Sequence, residues 1–229
     1  MIGINKMFEH LNKQKGFTLI EVIVVMAVFL SIIAGAISIF ISIIIYQKRI
    51  LSEGELLSQT SYATEYMSKA LRMADIDETG ECLEDEAGNP LSGYIYLLTR
   101  HDIETNSYKG IKFINQSDTY TDTGGIEHKS CQEFYLDDSD PLKPVLKENK
   151  FYIGTDKSEI NSLTSPKYSI NLLRFFINGT AQKDASYVSQ NDNIQPRVTI
   201  LMKVQTKLLK DQTEMIVQTT VSQRNLNVK

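Results

Sequence analysis

Apolar positions are spread unevenly along this chain. Residues 17–46 contain one charged side chain, Glu21, and residues 22–45 run for 24 positions with none. About 20 apolar residues in a helix cross a bilayer, so this run predicts a membrane-spanning helix. From Gln47 to Ala74 the pattern changes. Leu56, Ala63, Met67, Ala70, Leu71 and Ala74 recur at three- and four-residue steps, which predicts a helix with one apolar stripe. No proline interrupts either part, and Gly54 is the weak position. One helix from Phe17 to Ala74 is expected, apolar all round at first and amphipathic afterwards.

Beyond it the runs become short and strand-like. They lie at 93–99, 110–115, 132–136, 150–154 and 167–179, rich in aromatic or β-branched residues and bounded by turn formers. Residues 196–207 and 214–225 alternate well and predict an antiparallel pair closing the domain. A long helix followed by strands predicts an α+β fold, with the helix packed on an antiparallel β-sheet. Between Arg72 and Arg100 lie seven acidic residues and no basic ones. That stretch reads as a solvated loop, as does "DDSD" at 137–140. A calcium site is the sharper alternative for both, but the EF-hand spacing is absent.

Composition changes the picture little. The chain has 229 residues and a formal net charge of −4, and nucleic-acid binders need a basic footprint. Lys203, Lys207 and Lys210 therefore read as a solvated rim. Cys82 and Cys131 lack the spacing of a zinc site. They fit a disulfide in an oxidising compartment or two buried thiols. His10, His101 and His128 have no nucleophile or metal motif around them, so no enzyme, cofactor or metal is expected. The tripeptides starting at Asn115 and Asn178 match the glycosylation pattern, which is common by chance.

The chemistry concentrates at the N-terminus. Lys6, Lys13 and Lys15 precede the apolar run, which places the N-terminus in the cytoplasm and the rest beyond the membrane, although Lys48 and Arg49 follow it. A removed signal peptide cut near Ala34-Gly35-Ala36 would have an apolar region longer than usual, interrupted by Glu21. A plain signal anchor leaves Glu21 equally unexplained. An unpaired carboxylate at membrane depth costs about 3 kcal/mol or more.

The stretch Lys15-Gly16-Phe17-Thr18-Leu19-Ile20-Glu21-Val22 resembles the processing site of type IV prepilins and type II secretion pseudopilins. The resemblance implies a pilin-like fold and a leader at residues 1–16. It implies a membrane and filament-core helix at 17–46, its amphipathic continuation at 47–74, and an extracytoplasmic β-rich region at 75–229. A prepilin peptidase would cut after Gly16 and methylate Phe17. The new amine, cationic at neutral pH with a reference pKa of about 8, would seek a carboxylate. In such filaments the glutamate corresponding to Glu21 is thought to meet the terminal amine of a neighbour. Snorkelling to the headgroups is the plainer use of Glu21. Small residues at Ala27, Ala34, Gly35 and Ala36 would admit close helix packing.

Implied partners are the prepilin peptidase, other pilins or pseudopilins through the N-terminal helix, and an inner-membrane assembly platform. The implied location is the inner membrane in a single pass, then a filament at the cell surface. Many major pilins carry a proline partway along this helix. This chain has none before Pro90, which with its size points to a minor pilin or J-like pseudopilin. The C-terminal strand pair is similar to the larger members of that kind. A DNA-uptake or adhesive tip subunit, or an anchored binding module that never polymerises, is the alternative.

Overall fold

The computed structural model describes residues 16–85, 87–179, 195–206 and 214–224, with the backbone of 182–183. The leader up to Lys15, His10, Glu86, Thr180, Lys207 and Lys210 lie outside these residues. Helix α1 spans Leu19–Arg72. The strands are β1 (Ala74–Asp75), β2 (Tyr96–Asp102), β3 (Ser107–Thr121), β4 (Glu127–Asp137), β5 (Val145–Tyr152), β6 (Ser158–Ser162), β7 (Tyr168–Asn178), β8 (Gln182–Lys183), β9 (Arg197–Thr206) and β10 (Glu214–Ser222). The chain divides into two compact units, one ending at Ile50 and one beginning at Leu51.

In the first unit the apolar side chains point outward all round, and α1 runs through Ser38 without interruption. The hydroxyls of Ser31 and Ser42 donate to the carbonyls of Ala27 and Ser38, each at 2.9 Å. These polar groups are thus satisfied inside the helix, as a lipid surrounding requires. This helix is long and apolar enough to cross a membrane, and its apolar part is unburied.

In the second unit the predicted stripe is the buried one. Leu56, Ala63, Met67, Leu71 and Ala74 are fully enclosed, and Ala70 nearly so. They pack against Tyr96, Phe113, Phe134, Phe175 and the alternating Val198, Ile200, Met202 and Val204. A polar chain sets the docking register. Tyr66 donates to Glu148 Oε1 at 2.8 Å, Gln132 donates to the same oxygen, and Asn115 donates to Gln132 at 2.9 Å. Burial, and then the neighbouring Glu148, raises the Tyr66 pKa above that of an ordinary phenol.

The helix ends at Arg72, two residues before the expected Ala74. Its last carbonyls find partners in the sheet. Tyr96 Oη donates to Leu71 O at 2.7 Å, and the Arg224 amide donates to Arg72 O at 2.9 Å. Ala74 then pairs with Asn115 as β1.

The sheet runs β10-β9-β7-β3-β4-β5-β6, with β1 and β2 also on β3. Its pairings are antiparallel except the short β2–β8 contact. β9 and β10 form the expected hairpin pair, with β10 at one end of the order. β3 and β4 are longer than their apolar runs, and β6 has no strand signal at all.

The acidic stretch corrects an expectation. Asp77 is fully buried rather than solvated. It accepts the backbone N–H groups of Gly80, Cys82 and Leu83 at 2.7, 2.9 and 2.7 Å. Residues 76–94 fold onto the sheet face opposite the helix, where Leu83, Leu91, Ile114 and the two cysteines form a second core. Ile114 and Phe113 are successive in β3 and so serve opposite faces. "DDSD" is also less free than expected, since Asp137 pairs with Lys147 and Asp138 with Lys109.

Candidate assembly site

The site predicted from sequence lies at the start of α1. Thr18 is the residue before the first helical position. Its Oγ1 accepts the Glu21 amide at 3.3 Å, and its carbonyl accepts the Val22 amide at 3.2 Å. Thr18 is therefore the N-cap, and Thr18-Leu19-Ile20-Glu21 has the spacing of a capping box. Sequence reasoning passed over Thr18. Its signal was present, a threonine three residues before an acid at the head of an apolar run.

Glu21 is exposed and stands in the first turn. A negative charge there is favoured by the helix dipole, whose N-terminal end is positive. A cation introduced at Phe17 would face that same positive end, so a carboxylate one turn away is the group that offsets it. Phe17 is 80% exposed and precedes the helix.

Gly16 is not demanded by the fold. Among the described residues a Cβ at that position would meet nothing within 4 Å.

Cys82 and Cys131 are joined in a disulfide, with Cα atoms 5.5 Å apart and a sequence separation of 49. Both are fully buried. The bond ties the 76–94 segment to β4. The remaining candidate groups are held structurally. His101 Nε2 lies 3.2 Å from Asn106 Oδ1. His128 stands between the Ile153 carbonyl and Asp122, at 2.8 and 3.3 Å. Lys203 pairs with Glu214 at 2.8 Å. Among the described residues no three His, Cys, Asp or Glu side chains come together as a metal site.

One open cleft of about 380 Å³ lies between the β2–β3 turn, the β4–β5 turn and β7. Lys109 spans it between Asp102 and Asp138, at 3.1 and 2.9 Å. The hydrogen bond to Asp138 raises the Lys109 pKa against the opposing effect of burial. Thr105 at its rim donates to Asp102 at 2.9 Å and lies 2.7 Å from the Ser107 hydroxyl.

Residues 11–37 match a family model described as the prokaryotic N-terminal methylation motif. The match spans Gly16, Phe17 and Glu21 and runs into the apolar helix. No curated protein and no solved structure matches the chain.

Proposed function

We propose that this type IV prepilin-like chain is a minor pilin or pseudopilin, a structural subunit of a type IV pilus or a type II secretion-like filament. The observation that carries the reading is the methylation-motif match at residues 11–37, set at the head of a capped apolar helix. A prepilin peptidase cuts after Gly16 and methylates the new amine of Phe17. The helix anchors the chain in the inner membrane in a single pass. Three lysines before the apolar run keep the N-terminus cytoplasmic. The disulfide, a bond of oxidising compartments, supports a β-rich region on the far side. On extraction by the assembly platform, the same apolar surface packs against other pilins or pseudopilins. Glu21 then meets the amine of a neighbouring Phe17. Such a pairing in low dielectric is strong, and either charge alone is costly. The role is structural rather than enzymatic.

The test is the mature N-terminus after expression with a prepilin peptidase, read by mass spectrometry. The expected product begins at Phe17 and is heavier by one methyl group. An intact Met1 would leave a simple anchor and sink the reading. Glu21→Ala then separates a subunit from an anchored module. Membrane insertion should persist while incorporation into filaments falls about tenfold or more, as for loss of a buried charge pair.

A further inference from the structure

The two ends of the sheet differ on the face away from the helix. Residues 76–94 cover β3 to β5 there, the β2–β3 and β4–β5 turns border Arg174 of β7 at the cleft, and Arg197, Ile216 and Gln218 beyond them are exposed. Directly opposed residues share a face. The register therefore puts Arg174, Phe176, Arg197, Lys203 and Ile216 together on that face. Phe176 is 48% and Ile216 66% exposed. Glu214 neutralises Lys203. Arg174 and Arg197 form no ion pair among the described residues, and Arg174 shares its cleft with Asp102 and Asp138. An acidic chain thus concentrates two unpaired guanidinium groups beside exposed apolar side chains.

The complement lies elsewhere on the same unit. Glu78 and Glu81 are exposed and have no cation partner among the described residues. They are also presented rigidly. Asp77 holds the backbone that follows it, and the disulfide fixes Cys82 next to Glu81. Arginine pairs with carboxylates in two parallel hydrogen bonds, and a preformed segment loses little freedom on docking.

We propose that the outer face of β7, β9 and β10 docks the 78–81 segment of a second copy of this chain, with Arg174 and Arg197 receiving Glu78 and Glu81. The contact rests on the filament reading and adds to it. Each copy offers one surface and receives the other, so the interface is heterologous and open-ended, as a filament requires.

The test uses the full processed chain in detergent micelles, with self-association followed by sedimentation velocity. One variant carries Arg174→Glu and Arg197→Glu, the other Glu78→Lys and Glu81→Lys. Each alone should associate about tenfold more weakly than the unaltered chain, because like charges then face each other. Mixing the two should restore association, since each supplies what the other lost. That recovery also shows that both variants fold. Association of the single variants at the unaltered level would overturn the proposal, since the helices would then account for it. Loss without recovery on mixing would also overturn it, leaving the face to a different partner. Processing at Phe17 is read separately, so a processed chain that shows no charge-dependent association refutes this contact and leaves the filament reading intact.

Discussion

Asp77 shows how much one side chain can decide. Three backbone amides in the turn after it point at one carboxylate, and all are buried. Asp77→Ala would leave these donors without partners. Each buried unsatisfied group costs about 1–3 kcal/mol, so a total loss of about 3 kcal/mol or more is expected. Asp77→Asn keeps one acceptor oxygen and should lose less. Urea unfolding of the full chain in micelles checks this, followed by tyrosine fluorescence, since the chain has eleven tyrosines and no tryptophan. Equal stability of Asp77→Ala and the unaltered chain would mean that water replaces the carboxylate. In the sequence Asp77 was one acid among seven. Nothing in composition separates a buried capping carboxylate from its solvated neighbours, because the difference lies in where the chain turns. Glu21 was legible for the opposite reason, since a lone charge in an apolar run stands out before any fold is known.

At the scale of elements, the helix stripe and the β9–β10 pair were readable because each buries one face with a regular period. β6 was not, since all five of its residues are exposed and it is held by backbone pairing with β5. The basic face of β7, β9 and β10 was equally hidden, because its residues meet only through strand register. The β4–β5 pair carries a charge device of the same kind. Asp137 at the end of β4 is hydrogen-bonded by Lys147 of β5 and by Ser139, which hold its pKa down to about 2. Asp102 and Asp122 are shifted the same way, chiefly by Thr105 and by the Ile126 amide respectively. A carboxylate whose folded pKa lies below its unfolded value contributes stability above the unfolded value, near 4. That contribution is lost as pH falls through the folded value. The urea midpoint of the full chain should therefore fall steadily between about pH 4 and pH 2. Asp137→Asn should start lower at about pH 5 and fall less on acidification. A variant as pH-sensitive as the unaltered chain would remove Asp137 from the account.

For the whole molecule, the disulfide links stability to compartment. Cys82 and Cys131 close a loop at a sequence separation of 49, and the 76–94 segment that carries Cys82 covers one face of the sheet. On the chain-entropy account, a loop of that size contributes about 4 kcal/mol, and measured native disulfides span roughly 2–5. The double change Cys82→Ala with Cys131→Ala should therefore cost about 2–4 kcal/mol. The expected failure begins at the 76–94 cover, which this bond and its small core join to β4. The lysines before the apolar run and the cysteines after it were separate signals in the sequence, and a single topology satisfies both. On the proposed orientation, a thiol-alkylating reagent applied to intact cells and kept through denaturation should leave both cysteines unlabelled until a reductant is added. Free, alkylated thiols in a membrane-inserted chain would place the domain in the cytoplasm and overturn the orientation.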